Sequence, residues 1–174
     1  MASEIVNKVA SSALKQFDLE ELYPKEPVVE FDLRNYLFME LILKEKDFRE
    51  KLQQVSWAEF NDKMVGVTCT ADAIIPMWAY MLVTSYLQPH ARNIYFGDAK
   101  EALKQEVAAR ISAIDAEEFR DQRVVVKGCG DIEIGPYAYL EITKKLRPVA
   151  KSIMYGEPCS TVPVFKSAKK PEGA

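Results

Sequence analysis

Three cysteines and four carboxylates are the residues of this chain whose types and placement suit chemistry. Cys69, Cys129 and Cys159 each follow a short stretch that reads as a strand. Three convergent thiolates bind zinc or an iron–sulfur cluster, with the fourth position left to water, a carboxylate or a partner's group. A single thiol just ahead of a helix N-terminus is instead a nucleophile or redox group, because the helix dipole stabilises its thiolate. A cysteine is also a small hydrophobe that packs inertly in a core. No Cys-x-x-Cys pair selects among these readings. The single histidine, His90, excludes a histidine-rich metal site.

The carboxylates Asp72, Asp131, Asp98 and Glu157 fall in loops after the same strands. Asp72, Asp131 and Glu157 are the candidate cofactor contacts. Asp72, Asp131 and Asp98 also stand where helix N-caps belong, and capping explains them without any ligand. Lys127, Arg147 and Lys151 are cations able to bind an anion at such an edge. The stretch Lys-Gly-Cys-Gly-Asp at 127–131 is not a phosphate loop, since neither GxGxxG nor GxxxxGK[ST] is present. No Ser-His-Asp arrangement is visible.

The elements that must position these groups follow from an internal repeat. Shifted by 59 residues without a gap, 59–97 lies on 118–156, with 15 of 39 positions identical. The shared positions include Asp62/Asp121, Asp72/Asp131, Tyr80/Tyr139, Pro89/Pro148 and Gly97/Gly156. Each copy reads strand, loop, helix, strand. The spacing predicts strands at 63–69, 92–96, 123–127 and 151–155, with helices at about 99–114 and 136–146. In the first copy Asp72 is the expected cap of the helix, with Pro76 in its first turn. Trp78, Met81, Leu82 and Tyr86 supply that helix's apolar face. A last strand is expected at 162–165.

Ahead of the repeat, Ile5 through Phe17 recur at helical spacing behind Ser3 as a cap, so a first helix is expected there. A strand is expected at 28–33. The dense apolar run 36–43 is open between helix and buried strand. Asp47 is the expected cap of a helix carrying Phe48, Leu52 and Val55. Trp57 and Phe60 are expected in the core.

These patterns predict one domain over 1–174: an N-terminal helical and extended segment (1–58), repeats at about 59–98 and 118–157, and a flexible tail at 166–174. The fold class is α/β, a mostly parallel sheet with helices on both faces, built from two tandem strand-helix-strand repeats. Two right-handed halves most simply give a single sheet of order 2-1-3-4. The loops of Cys69 and Cys129 are then neighbours at the carboxyl edge, where open α/β sheets place ligands. As a hypothesis, Cys159 turns inward to join them.

Composition narrows the function classes. Net charge is −3 with a pI near 5.4 and no basic stripe, which argues against duplex nucleic acid. No apolar stretch is long enough to cross a bilayer, and no signal-peptide pattern opens the chain. Three cysteines without such a signal point to reduced thiols in a cytoplasm.

The segments LKEKDFREKL, CTADAIIPMWAYML, VVVKGCG and AKSIMYGEPCSTVP resemble an uncharacterised family typical of Bacteroidetes, domain of unknown function 2480. The resemblance covers nearly the whole chain. It implies that the cysteines corresponding to Cys69, Cys129 and Cys159 recur in the family, and it carries over no catalytic residue. It also implies iron–sulfur assembly proteins as partners. The leading functional reading is a metal- or iron–sulfur-related accessory protein using the cysteines at the carboxyl edge of the sheet; the alternatives are a small-ligand or protein-interaction module without metal and, second, a thiol-dependent enzyme.

Overall fold

The computed structural model describes residues 14–128, 130 and 132–168. Among them are four α-helices and seven strands in two mostly parallel sheets, an α/β architecture. No helix of the described residues is long and apolar enough to cross a membrane. The chain divides into two compact units. One comprises Pro24–Glu106; the other joins the segment ending at Tyr23 to the segment starting at Val107.

The Pro24–Glu106 unit is built on β2 (Val29–Asp32), β3 (Met64–Thr68) and β4 (Asn93–Phe96), all parallel, in the order β2-β3-β4. Alternation along the strands splits the sheet into two faces. Phe31, Val65 and Val67 point to one face. There α1 (Glu45–Gln53) buries Phe48 and Leu52, and α2 (Met77–Leu87) buries Ala79, Val83 and Leu87 at four-residue spacing. Trp57 stacks between Phe31 and Tyr86 at 5.4 and 5.0 Å and donates its indole N–H to Leu52 O, so it packs against the core from a partly buried position at its edge. The other face carries Gly66, Asn93 and Tyr95. A Cβ on Gly66 would lie 2.8 Å from Gly97 O and 3.2 Å from Ala102 Cβ, so the missing side chain lets α3 (Ala99–Ala113) approach the sheet. The buried Glu106 of α3 then accepts bonds from Asn93 and the Tyr95 hydroxyl, both at 2.7 Å.

The second unit is built on β1 (Leu14–Asp18), β5 (Arg123–Lys127), β6 (Ser152–Glu157) and β7 (Ser160–Lys166), in the order β1-β5-β6-β7. The first three run parallel and β7 returns antiparallel through a tight hairpin. Val124, Val125 and Val126 are fully or almost fully buried at the centre. On the Val124/Val126 side α4 (Pro136–Leu146) buries Ala138, Ile142 and Leu146. Tyr23 anchors α4 through a 2.7 Å hydroxyl–hydroxyl bond to Tyr137.

The 59-residue repeat is visible element by element. β3 and α2 map onto β5 and α4 with identical boundaries after the shift. Asp62 and Asp121 both take φ of 58°, and Gly97 and Gly156 take 116° and 114°. The latter conformation suits glycine alone, which explains that identity. Asp62 N–H bonds to His90 O at 2.9 Å, and Asp121 N–H to Val149 O at 3.0 Å.

Three expectations are corrected. The repeats do not share a sheet of order 2-1-3-4; each has its own. The edge of β3 that a shared sheet needs is taken by β2, and the edge of β5 by β1. Both outer strands come from the N-terminal segment, and both run out through the same tripeptide, Phe17-Asp18-Leu19 and Phe31-Asp32-Leu33, whose leucine opens a 3₁₀ turn. Residues 14–18 are accordingly strand rather than helix, because parallel pairing with β5 and the edge-on contact of Phe17 with Phe119 outweigh local helical spacing. The rest of that expected helix lies outside the described residues. The ambiguous run 36–43 is neither helix nor buried strand: Phe38 and Ile42 bridge across a tight turn with Met39 and Glu40 at positive φ.

Candidate functional site

Each Phe-Asp-Leu tripeptide places an aspartate at the carboxyl edge of its sheet. Asp18 accepts the Glu20 N–H at 3.0 Å, capping a 3₁₀ turn, and pairs with Lys127 Nζ at 2.8 Å. Partial burial opposes its ionisation, but the bonds from Lys127 and Glu20 outweigh it and hold the carboxyl below its usual range. Asp32 does the same in its own sheet. It accepts the Arg34 and Thr70 N–H groups and, at 2.5 Å, the Thr70 hydroxyl. These bonds outweigh its desolvation and also lower its pKa. Both aspartates are satisfied structural groups that tie outer strand to central strand. Sequence reasoning passed over them, although the repeated tripeptide was a usable signal.

The sequence-nominated residues are placed as follows. Cys69 directly follows β3, half-buried against the core cluster, with its Sγ 3.7 Å from Ala71 O. Cys159 is exposed at the tip of the β6–β7 hairpin, in the other unit. Cys129 and Asp131 lie outside the described residues. Among the described residues no three histidine, cysteine or acidic side chains come together as a metal site requires. Glu157 ends β6, exposed and paired across the hairpin with Ser160. Asp98 is a cap as expected, accepting the Glu101 N–H at 2.8 Å. Asp72 is not. α2 starts only at Met77, and its cap position is Pro76, with no side-chain bond. Proline disfavours helical backbone at the residue before it, so no helix can start at Asp72 and run through Ile75. The corresponding helix α4 has Gly135 at the cap position and Pro136 at its first turn.

The glycines of the 127–131 stretch serve close approach. Glu20 occupies the space a Cβ on Gly130 would need, and its Oε1 is buried without a hydrogen-bond partner among the described residues. A carboxylate at this point repels phosphate, in keeping with the absence of a phosphate-loop pattern. Gly128 has a different task. A Cβ there would lie 2.7 Å from the Tyr139 hydroxyl and 2.7 Å from Ile134 Cδ1. Its absence lets Tyr139 donate to Gly128 O at 3.2 Å.

Tyr139 lines a cleft of about 690 Å³ between α4 and the strands β5, β6 and β7 of its sheet. Val126, Ile153, Tyr155, Leu140 and Val164 line it, with Thr143 and Lys144 at one end. Leu140 is 64% exposed, Val164 54% and Tyr155 41%, an apolar lining left open to solvent. Tyr139 and Tyr155 meet edge to face at 5.6 Å. The far wall is β7. Its register shifts opposite Ile153/Met154, leaving Val164 as the extra residue of a bulge, and bulges re-aim side chains.

The first repeat shows what the wall adds. The matching positions there include Tyr80, Met81 and Phe96, and Tyr80 packs on Phe96 in the same edge-on manner. Phe96 and Met81 are exposed. That three-stranded sheet ends at β4 among the described residues, so the same apolar face has no opposite wall. The cleft is therefore a product of α4 together with β7; both elements are expected from sequence, but neither is nominated there as part of a site.

No curated protein and no solved structure matches the chain. A family model described as a protein of unknown function (DUF2480) matches residues 3–167. With nearly its full length covered, the chain belongs to the DUF2480 family.

Proposed function

We propose that this protein is a small-ligand binding module whose cleft on the β5–β6–β7 face holds the apolar body of its ligand. One observation carries the reading: a cleft of about 690 Å³ whose walls are solvent-exposed apolar side chains with a few polar groups at one end. Small-molecule sites have this size, about 300–1,000 Å³, and this make-up. Leaving such surface open has no folding benefit, because apolar area stabilises only when removed from water. The gates of the site are Leu140 and Val164 on opposite walls, with Tyr139 held in place by Gly128 O.

The test uses N-phenyl-1-naphthylamine, an uncharged dye that fluoresces in apolar surroundings. Wild-type protein is expected to bind it saturably. Leu140→Arg introduces a charge into the cleft at an exposed position, so the fold is retained and dye binding is lost. Met81→Arg, the matching change in the other repeat, is expected to leave dye binding unchanged. Equal dye binding by wild type and Leu140→Arg refutes the reading. Stoichiometric zinc or iron in anaerobically purified protein, lost in Cys69→Ser, would instead favour a metal-binding accessory role.

A further inference from the structure

We propose that the ligand of this cleft is an amphipathic anion, a free long-chain molecule ending in a carboxylate or similar group, with its charged end at the last turn of α4. This rests on the binding reading above and adds the polarity of the ligand.

The cleft changes character along α4. At the start of the helix it is lined by Ile134, Pro136 and Tyr139, whose hydroxyl is already used on Gly128 O. Toward the end it is lined by Thr143 and Lys144. One turn beyond Thr143, the Arg147 guanidinium lies 3.6 Å from the centroid of the Phe165 ring. Phe165 is the neighbour of the cleft-lining Val164, so Arg147 sits beside the cleft mouth. Lys151 and Lys166 stand at the same end of the outer strands, since Lys166 pairs with Ser152 and Ser167 N–H bonds to Lys151 O at 2.8 Å.

The acids at this end are mostly engaged: in the 3₁₀ turn 116–119, which packs on α4, Asp115 caps the turn, Glu117 holds Arg120 and Glu118 lies 3.8 Å from Lys15 Nζ. Glu141 holds Lys144 Nζ at 2.8 and 2.9 Å, and Asp121 lies beside Val149. The helix terminus adds roughly half a negative charge. With Lys144 set against Glu141, the cations Arg147, Lys151 and Lys166, joined by Lys145 on the last turn of α4 and Arg123 at the start of β5, outweigh the rest. The opposite end has the reverse sign: Glu133 and Glu157 are exposed there, while Lys127 is committed to Asp18. An apolar trough with a cationic end and an acidic end selects a chain with one anionic terminus and orients it.

Competition against N-phenyl-1-naphthylamine on the full chain tests this, with dodecanoate, dodecanol and dodecyltrimethylammonium as competitors. Dodecanoate is expected to displace the dye at concentrations about tenfold lower than dodecanol, as one charge-assisted hydrogen bond implies, with the cation weakest. Arg147→Gln should bring dodecanoate to the level of dodecanol, each measured against that variant's own dye affinity, and Arg147→Lys should retain the preference. Dye binding with equal displacement by dodecanoate and dodecanol overturns the anion inference and leaves the cleft reading standing. Absence of dye binding overturns both. Co-sedimentation with anionic phospholipid vesicles, without displacement by free dodecanoate, overturns the inference in favour of a membrane-surface role.

Discussion

Gly128→Ala separates a shaped cleft from an incidental groove. The added methyl carbon falls 2.7 Å from the Tyr139 hydroxyl and 2.7 Å from Ile134 Cδ1, well inside contact distance. Ile134 lines the cleft, so a rotation away from the new methyl changes the cleft's shape. Tyr139 is stiffer, so its hydroxyl must leave Gly128 O and its ring must tilt against Tyr155. Losing that hydrogen bond costs about 0.5–1.5 kcal/mol, and disturbing the edge-to-face pair costs up to about 1 kcal/mol. Alanine returns about 0.4–1 kcal/mol by restricting the unfolded chain. The packing terms win, leaving a net loss of about 1 kcal/mol. Binding should suffer more than stability, because both displaced side chains line the ligand space; the expected drop in dye affinity is about tenfold, or about 1.4 kcal/mol. Urea denaturation and dye titration on the same variant measure the two effects. A variant that is more stable than wild type and binds dye equally well refutes the reasoning, since it would mean that Tyr139 is not held where the cleft requires it.

The other predictions concern the frame around the site. Gly66→Val places the residue found at the matching position of the second repeat under α3, with a Cβ 2.8 Å from Gly97 O and 3.2 Å from Asp98 O. A cost of about 1–3 kcal/mol in denaturant titrations is expected from overpacking against backbone, and a neutral result would show that α3 does not approach Gly66 closely. Asp98→Ala should lower stability by about 1 kcal/mol through loss of its cap, whereas Asp72→Ala should stay within about 0.5 kcal/mol; comparable losses would restore Asp72 as a cap. Asp18 and Asp32 have lowered folded-state pKa values, so their stabilisation is present above the ordinary aspartate value and is lost as pH falls below about 4. The Asp18→Asn/Asp32→Asn double variant should therefore show a shallower stability loss between neutral and acid pH, and parallel pH profiles would contradict this.

Local rules made much of this protein legible from its residues. The repeat gave the boundaries of β5 and α4 because valine-rich stretches, Pro136 and the Pro148 stop act over a few residues. Gly97 and Gly156 marked turns that only glycine adopts. Asp98 read correctly as a cap because its helix follows at once. Asp72 did not, because Pro76 delays the helix by several residues. Tertiary structure decided what depends on partners far along the chain. β1 pairs with β5 across more than a hundred residues, and nothing near Phe17 announces that choice. Which sheet a strand joins is set by the edge left open, a property of the assembled fold and not of the strand. The cleft is of the same kind. Leu140 reads as an ordinary helix residue and Val164 as part of a short terminal strand. Only the antiparallel return of β7, with its bulge, sets them on opposite walls of one apolar space.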